Sequence, residues 1–257
     1  MDSDLAIFAL VGFLAQLVDG ALGMAYGLIS SSILLSLGVP PATASACVHA
    51  AEVFTTGASA TSHILHRNVN GRMLVLLSLA GACGGAFGAF VLTSADGAAV
   101  KPFVSAYLGF MGVFILWRAA RGRREAKPLN PRWAPPLGVV GGTMDAIGGG
   151  GWGPAVTSTL LGAGGTPREV IGTVNTAEFF VSAAISSAFI VALVTGNWKA
   201  AGDLTDHAWQ VGGLVLGGVV AAPLAGYATR LAPPRILTFL VGGLIVALSL
   251  FQLSALL

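Results

Sequence analysis

The sequence predicts an all-α membrane protein of two inverted-topology repeats, each a Gly-broken short-helix hairpin followed by three transmembrane helices. Three observations predict it: long uncharged apolar stretches, an internal duplication, and a Gly-rich interruption at the same place in each copy.

Composition sets the environment. The 257 residues are 55% hydrophobic and 9% charged, whereas a soluble domain carries about 25% charged residues. The charges are clumped, leaving stretches close to the roughly 20 apolar residues that cross a bilayer. The 36 glycines suit helices that pack closely in lipid. A net charge of +2 and the lack of any basic run interleaved with aromatics argue against a nucleic-acid partner. Cys47 and Cys83 lie in apolar segments without motif spacing and read as small buried hydrophobes. The N-terminal MDSDLAIF lacks a basic n-region and reads as part of the fold.

The duplication is direct. An offset of 126 aligns residues 12–56 with 138–182 without a gap, and 13 of those 45 positions are identical. Chance matching of small apolar residues inflates such a count, but Asp19/Asp145, Pro41/Pro167 and Glu52/Glu178 share one register. Beyond it the match continues at an offset of about 134, pairing Lys101 with Arg235.

Each copy reads as five hydrophobic segments. In the first they cover about 5–18, 24–37, 41–65, 72–93 and 99–118. In the second they cover about 136–144, 152–163, 168–194, 210–229 and 235–256. The chain therefore divides into a first repeat at 1–118, a basic cytoplasmic linker at 119–134 and a second repeat at 135–257. If each short pair is a hairpin, three spans remain per half and the halves are inverted. If each pair is one interrupted span, the halves are parallel. The positive-inside rule favours inversion: eleven Lys/Arg then fall on the linker side and only Lys101 and Lys199 outside, against nine and four for the parallel case.

Chemistry concentrates at a few polar positions. Asp19, Asp145, Glu52 and Glu178 sit deep in apolar sequence, where a charge costs at least roughly 2.5–3.5 kcal/mol and normally faces a partner or a wet cavity. Helical spacing puts Ser45, His49, Glu52, Thr56 and His63 on one face, and Asn175, Glu178, Ser182 and Ser186 on another. Such stripes suit a polar or proton-coupling path, or hydrogen-bonded glue between helices. The breaks VDGALGMAYG and MDAIGGGGWGP cannot stay helical throughout, since each Gly costs about 1 kcal/mol relative to Ala. Pro154 suits the first turn of a new helix. A fresh helix start offers free N–H groups and a positive dipole end, and paired breaks in inverted halves point to a transport site. The substrate-binding candidates are therefore Gly23, Tyr26, Gly27, His49, Gly149, Gly150, Gly151, Trp152, Gly153 and Asn175. Asp19 and Asp145 serve either as turn supports or, with Glu52 and Glu178, as the polar path. His49 could share a proton with Glu52 one turn away. No cofactor motif or metal-binding motif is present.

The Gly-rich break, the apolar run ending in LGVPP or GGTPRE, and the alanine-rich helix after it, all duplicated, resemble the TauE/SafE family of sulfite exporters. The motif residues are Gly23, Gly27, Gly38, Pro40 and Pro41, then Gly148–Gly151, Gly153, Pro154, Gly164 and Pro167. The resemblance implies a multi-pass transporter of the bacterial inner membrane that exports sulfite or a small organosulfonate. Its expected partners are a small anionic substrate, protons as coupling ion, the lipid bilayer and a second copy in a homodimer. The first break departs from a clean Gly triplet, and four membrane acids sit oddly beside an anion. Two other readings stay open: a divalent-cation transporter using the acids and His49, and an intramembrane enzyme, for which no GxSxG or HExxH motif orders the serines and His49.

Overall fold

The chain is seen in a computed structural model that describes residues 2–121, 130–198, 208–224 and 234–255. These residues form helices α1 (Asp2–Leu22), α2 (Tyr26–Ser36), α3 (Pro41–Leu65), α4 (Gly71–Ser94) and α5 (Gly97–Arg121). There follow α6 (Ala134–Gly148), a π-helical turn (Gly153–Thr157) that runs into α7 (Ser158–Gly162), then α8 (Pro167–Val194), α9 (Ala208–Ala221) and α10 (Pro234–Ser254). Helices α4, α5, α8 and residues 235–254 of α10 are long and apolar enough to cross a bilayer. Large apolar side chains such as Phe54, Leu79, Phe103 and Phe110 remain exposed on the outer faces, as a lipid-facing surface requires. The chain is a multi-pass, all-α membrane protein.

Helix starts follow local chemistry. Pro41 and Pro167 occupy first-turn positions after extended residues Pro40 and Thr166, where the missing N–H costs nothing. Asn70 caps α4 by accepting from the Met73 N–H at 3.1 Å. Helix α3, at 25 residues, is roughly 37 Å long. It is less apolar than its repeat partner α8 because Ser45, His49, Glu52, Thr55 and Thr56 are carried on its buried face. Two helices run longer than expected: α1 from Asp2 to Leu22, against 5–18, and α6 from Ala134 to Gly148, against 136–144. The backbone stays helical through Asp19 and Asp145, and the chain leaves each helix only at Gly23 and Gly149.

The packing repeats between the halves. Helix α1 lies along α9 and α6 along α4, while α3 packs on α8 and α5 on α10. Glycines permit the closest of these approaches: a Cβ on Gly12 would stand 2.8 Å from Leu214 Cα, and one on Gly138 would stand 3.1 Å from Leu77 O. Small residues at such seams let helix backbones touch. Outlying contacts repeat too. Arg118 of α5 donates to Ser158 O, and Gln252 of α10 donates to Ser32 O at 2.9 Å; the offsets of 126 and 134 carry one pair onto the other. At one end of the bundle the Arg168 guanidinium donates to Asn68 and, at 3.0 Å, to His66 O. The basic segment 122–129, residues 199–207 and Arg230 lie outside the described residues.

Candidate functional site

The two Gly-rich breaks cross at the centre of the molecule. Gly23 (φ 67°) and Gly149 (φ 63°) take the same left-handed conformation at the ends of α1 and α6, which glycine adopts without the Cβ clash. Where the second half has Gly151, the first has Ala25, held at φ 112°, a conformation costing on the order of 1–3 kcal/mol for a residue with a Cβ. Each break is clamped by a hydroxyl from the opposite half: Ser31 donates to Gly149 O, and Thr157 donates to Gly23 O at 2.9 Å. The backbones themselves touch. A Cβ on Gly27 would lie 2.7 Å from Gly150 Cα and 2.8 Å from Glu52 Oε1, and one on Gly153 would lie 2.6 Å from Met24 Cα.

The break N–H groups are engaged by carboxylates of their own half. Asp145 Oδ1 accepts from Gly151 N at 2.8 Å and Trp152 N at 2.9 Å. Among the described residues, Asp19 Oδ1 accepts only from Tyr26 N, at 3.4 Å. Asp145 also faces across the interface, where its Oδ2 lies 3.2 Å from His49 Nε2. The other imidazole nitrogen, Nδ1, sits 2.8 Å from Ser45 O, which favours a proton on Nδ1 and fixes the ring. Glu52 Oε2 is 3.9 Å from His49 Nε2 and accepts from Ser182 at 3.1 Å. A polar chain thus runs from the second break through Asp145, His49 and Glu52 to α8, with all three ionisable side chains buried. Their ligating atoms fall within 4.8 Å of one another.

The sequence-predicted residues divide accordingly. Gly27, His49, Glu52, Asp145 and Gly149–Gly153 converge on this crossing. Trp152 is fully buried beside Gly81 and donates from its indole to Val174 O at 3.1 Å, while Tyr26 donates to Leu214 O at 3.1 Å. Both aromatics pack beside the breaks, with the Tyr26 hydroxyl and the Trp152 indole N–H each donating to a backbone carbonyl. Asn175, the counterpart of His49, is buried with neither amide atom hydrogen-bonded among the described residues. Glu178 is buried on the face of α8 that carries Ser182, which donates to Glu52. Tyr107 escaped sequence reasoning: its hydroxyl donates to Gly150 O at 3.3 Å, yet it sits in α5 among apolar residues outside the gap-free repeat.

A family model described as sulfite exporter TauE/SafE matches residues 8–251 of this chain. The chain belongs to the TauE/SafE family. It is also 41% identical over 249 residues to the probable membrane transporter protein YtnM of Bacillus subtilis (strain 168), across 94% of this chain and 80% of that protein. No solved structure matches it. Membership makes the chain a membrane transporter of a small molecule, not an enzyme. The crossed breaks and the buried His49–Asp145–Glu52 chain are accordingly this family member's candidate translocation site.

Proposed function

We propose that this protein is a secondary transporter of the bacterial inner membrane that exports sulfite or a small sulfur-containing organic anion, coupled to protons, from a site at the crossed breaks. The supporting observation is the pair of hydrogen bonds donated by Gly151 N and Trp152 N to one oxygen of Asp145. Two backbone N–H groups converging on a carboxylate oxygen make a seat that an external oxyanion also fits. In this reading Asp145 holds the seat as resident anion. A proton taken up by the His49–Asp145 pair weakens that hold, and the substrate oxyanion takes the two N–H groups. Substrate and proton then load together. Flux of sulfite, sulfate, thiosulfate and sulfoacetate into liposomes, with and without an imposed pH gradient, tests the reading. Accumulation of at least one anion driven by the gradient is expected. Transport of nickel and of none of the anions would move the case to the cation reading, which the 4.8 Å cluster of His49, Glu52 and Asp145 supports.

The inverted arrangement belongs to the same proposal. The bonds from Arg168 at the start of α8 to the loop after α3 support it, because a parallel arrangement would put those two segments on opposite membrane faces. In a cysteine-free background, Arg67→Cys and Thr166→Cys should both label from the cytoplasmic side. Labelling from opposite sides would establish parallel halves.

A further inference from the structure

The repeat makes one comparison available that is independent of the substrate. In the second half, Asp145 receives two backbone N–H groups and the His49 imidazole. Carrying those positions through the duplication pairs Asp19 of the first repeat with Asn175 of the second. There the satisfaction is missing: Asp19 has one long bond, from Tyr26 N at 3.4 Å, and both amide atoms of Asn175, 1% exposed, are unpartnered among the described residues. Gln16, one turn before Asp19 on α1 and 1% exposed, likewise has its Oε1 unpartnered. A Cβ on Gly23, one turn after Asp19, would stand 2.8 Å from Ile171, one turn before Asn175 on α8, as one on Gly149 would meet Ser45 on α3 at 3.2 Å; Glu178 lies one turn beyond Asn175. The stripe holding Asn175 and Glu178 faces this centre, since Ser182 on the same face reaches Glu52. Buried polar atoms without protein partners point to a ligand or ion.

The chemistry of the set selects the class. Beside the Asn175 Nδ2 amide, the set offers the carboxylates of Asp19 and Glu178 and the amide oxygens of Gln16 and Asn175, with no imidazole or thiolate. Oxygen sets of this kind take hard cations. Where His49 can bring one positive charge to Asp145, Asn175 can bring none to Asp19. A monovalent cation replaces that single charge, and Mg2+ dehydrates too reluctantly for a site this enclosed.

We infer that a Na+ site forms beside the first break from Asp19 and Gln16 of the first repeat with Glu178 and Asn175 of the second, the counterpart of the His49–Asp145 pair. The halves then take different coupling ions, Na+ at Asp19 and a proton at Asp145. This rests on the transporter reading for its purpose but not for its test. The purified full-length protein is melted in NaCl, in KCl and in choline chloride at equal ionic strength. The melting temperature should rise saturably with Na+ and not with choline, and Asp19→Asn should abolish the rise. Asn175→His should do so as well while holding its own melting temperature, since it installs the imidazole already present in the other half. Identical melting in Na+ and choline overturns the site, as does an Asn175→His variant with an undiminished Na+ response. A response to pH alone at Asp19 would mean that a proton takes this place and likewise overturns the Na+ assignment. A protein that binds Na+ yet moves no anion would leave this site standing and sink the anion reading.

Discussion

Gly150→Ala should cost at least about tenfold in anion affinity, while Ser186→Ala should leave it unchanged. At 150 the added methyl would stand 2.9 Å from Gly27 Cα and closer still to the carbonyl carbon of that residue. Backbone cannot rotate away as a side chain does, so the two breaks must separate. Overpacking of this kind typically costs about 1–3 kcal/mol of stability. The larger effect falls on the site, because separation moves Gly151 N and Trp152 N relative to His49 and Glu52. Gly23→Ala makes a useful contrast. Its methyl would meet the Ile171 side chain at 2.8 Å, which can adjust, but the φ of 67° strains any residue with a Cβ. Its melting temperature should fall with less loss of affinity. Ser186 Oγ has no hydrogen-bond partner among the described residues. Titrations with sulfite, after gel filtration and a thermal melt of each variant, decide the matter. A well-folded Gly150→Ala protein with unchanged affinity would show that the breaks are packing devices and that the anion binds elsewhere.

The duplication carried most of what was legible in the sequence. Matching Asp19 with Asp145 and Gly23 with Gly149 located the breaks, and the structure places like backbone conformations at both. The polar stripe on α3 was readable because helical periodicity survives burial, and Ser45, His49, Glu52 and Thr56 are all buried. Cross-half partners were not readable. Periodicity says which face of α3 holds His49, but only tertiary packing sets Asp145 against it. Turn support was one of the two roles open to Asp145 in the sequence, but which N–H groups it takes was not readable, since an aspartate six residues before an N–H gives no sequence pattern of its own. Ser31 and Thr157 could have been found, because the register pairs two hydroxyl residues there. Arg118 was readable only as a charge near a helix end; its bond to Ser158 O depends on where α7 enters the bundle.

The second large effect is expected at Glu52. Glu52→Gln keeps the size of the side chain and an oxygen for Ser182 to donate to, so the protein should fold and insert. It removes a carboxylate 3.9 Å from His49 Nε2 and sets an uncharged group against Gly27 and the crossing of the breaks. If the His49–Asp145 pair takes up the coupled proton, Glu52 is the charge that holds it on the imidazole and the group to which it passes. Asp145 faces the ring from α6, Glu178 acts on Glu52 from α8, and Asp19 acts on it from α1. Flux driven by a pH gradient should fall at least about tenfold, equivalent to roughly 1.4 kcal/mol, and its pH dependence should flatten. Glu52→Asp, which keeps the charge on a shorter arm, should recover part of the rate and restore the pH dependence. That pattern separates a proton path from helix glue, because glue depends on hydrogen bonds that Gln can make and Asp at shorter reach cannot. Wild-type flux at every pH in Glu52→Gln would reduce Glu52 to an interhelical hydrogen bond with Ser182 and confine any proton path to His49 and Asp145.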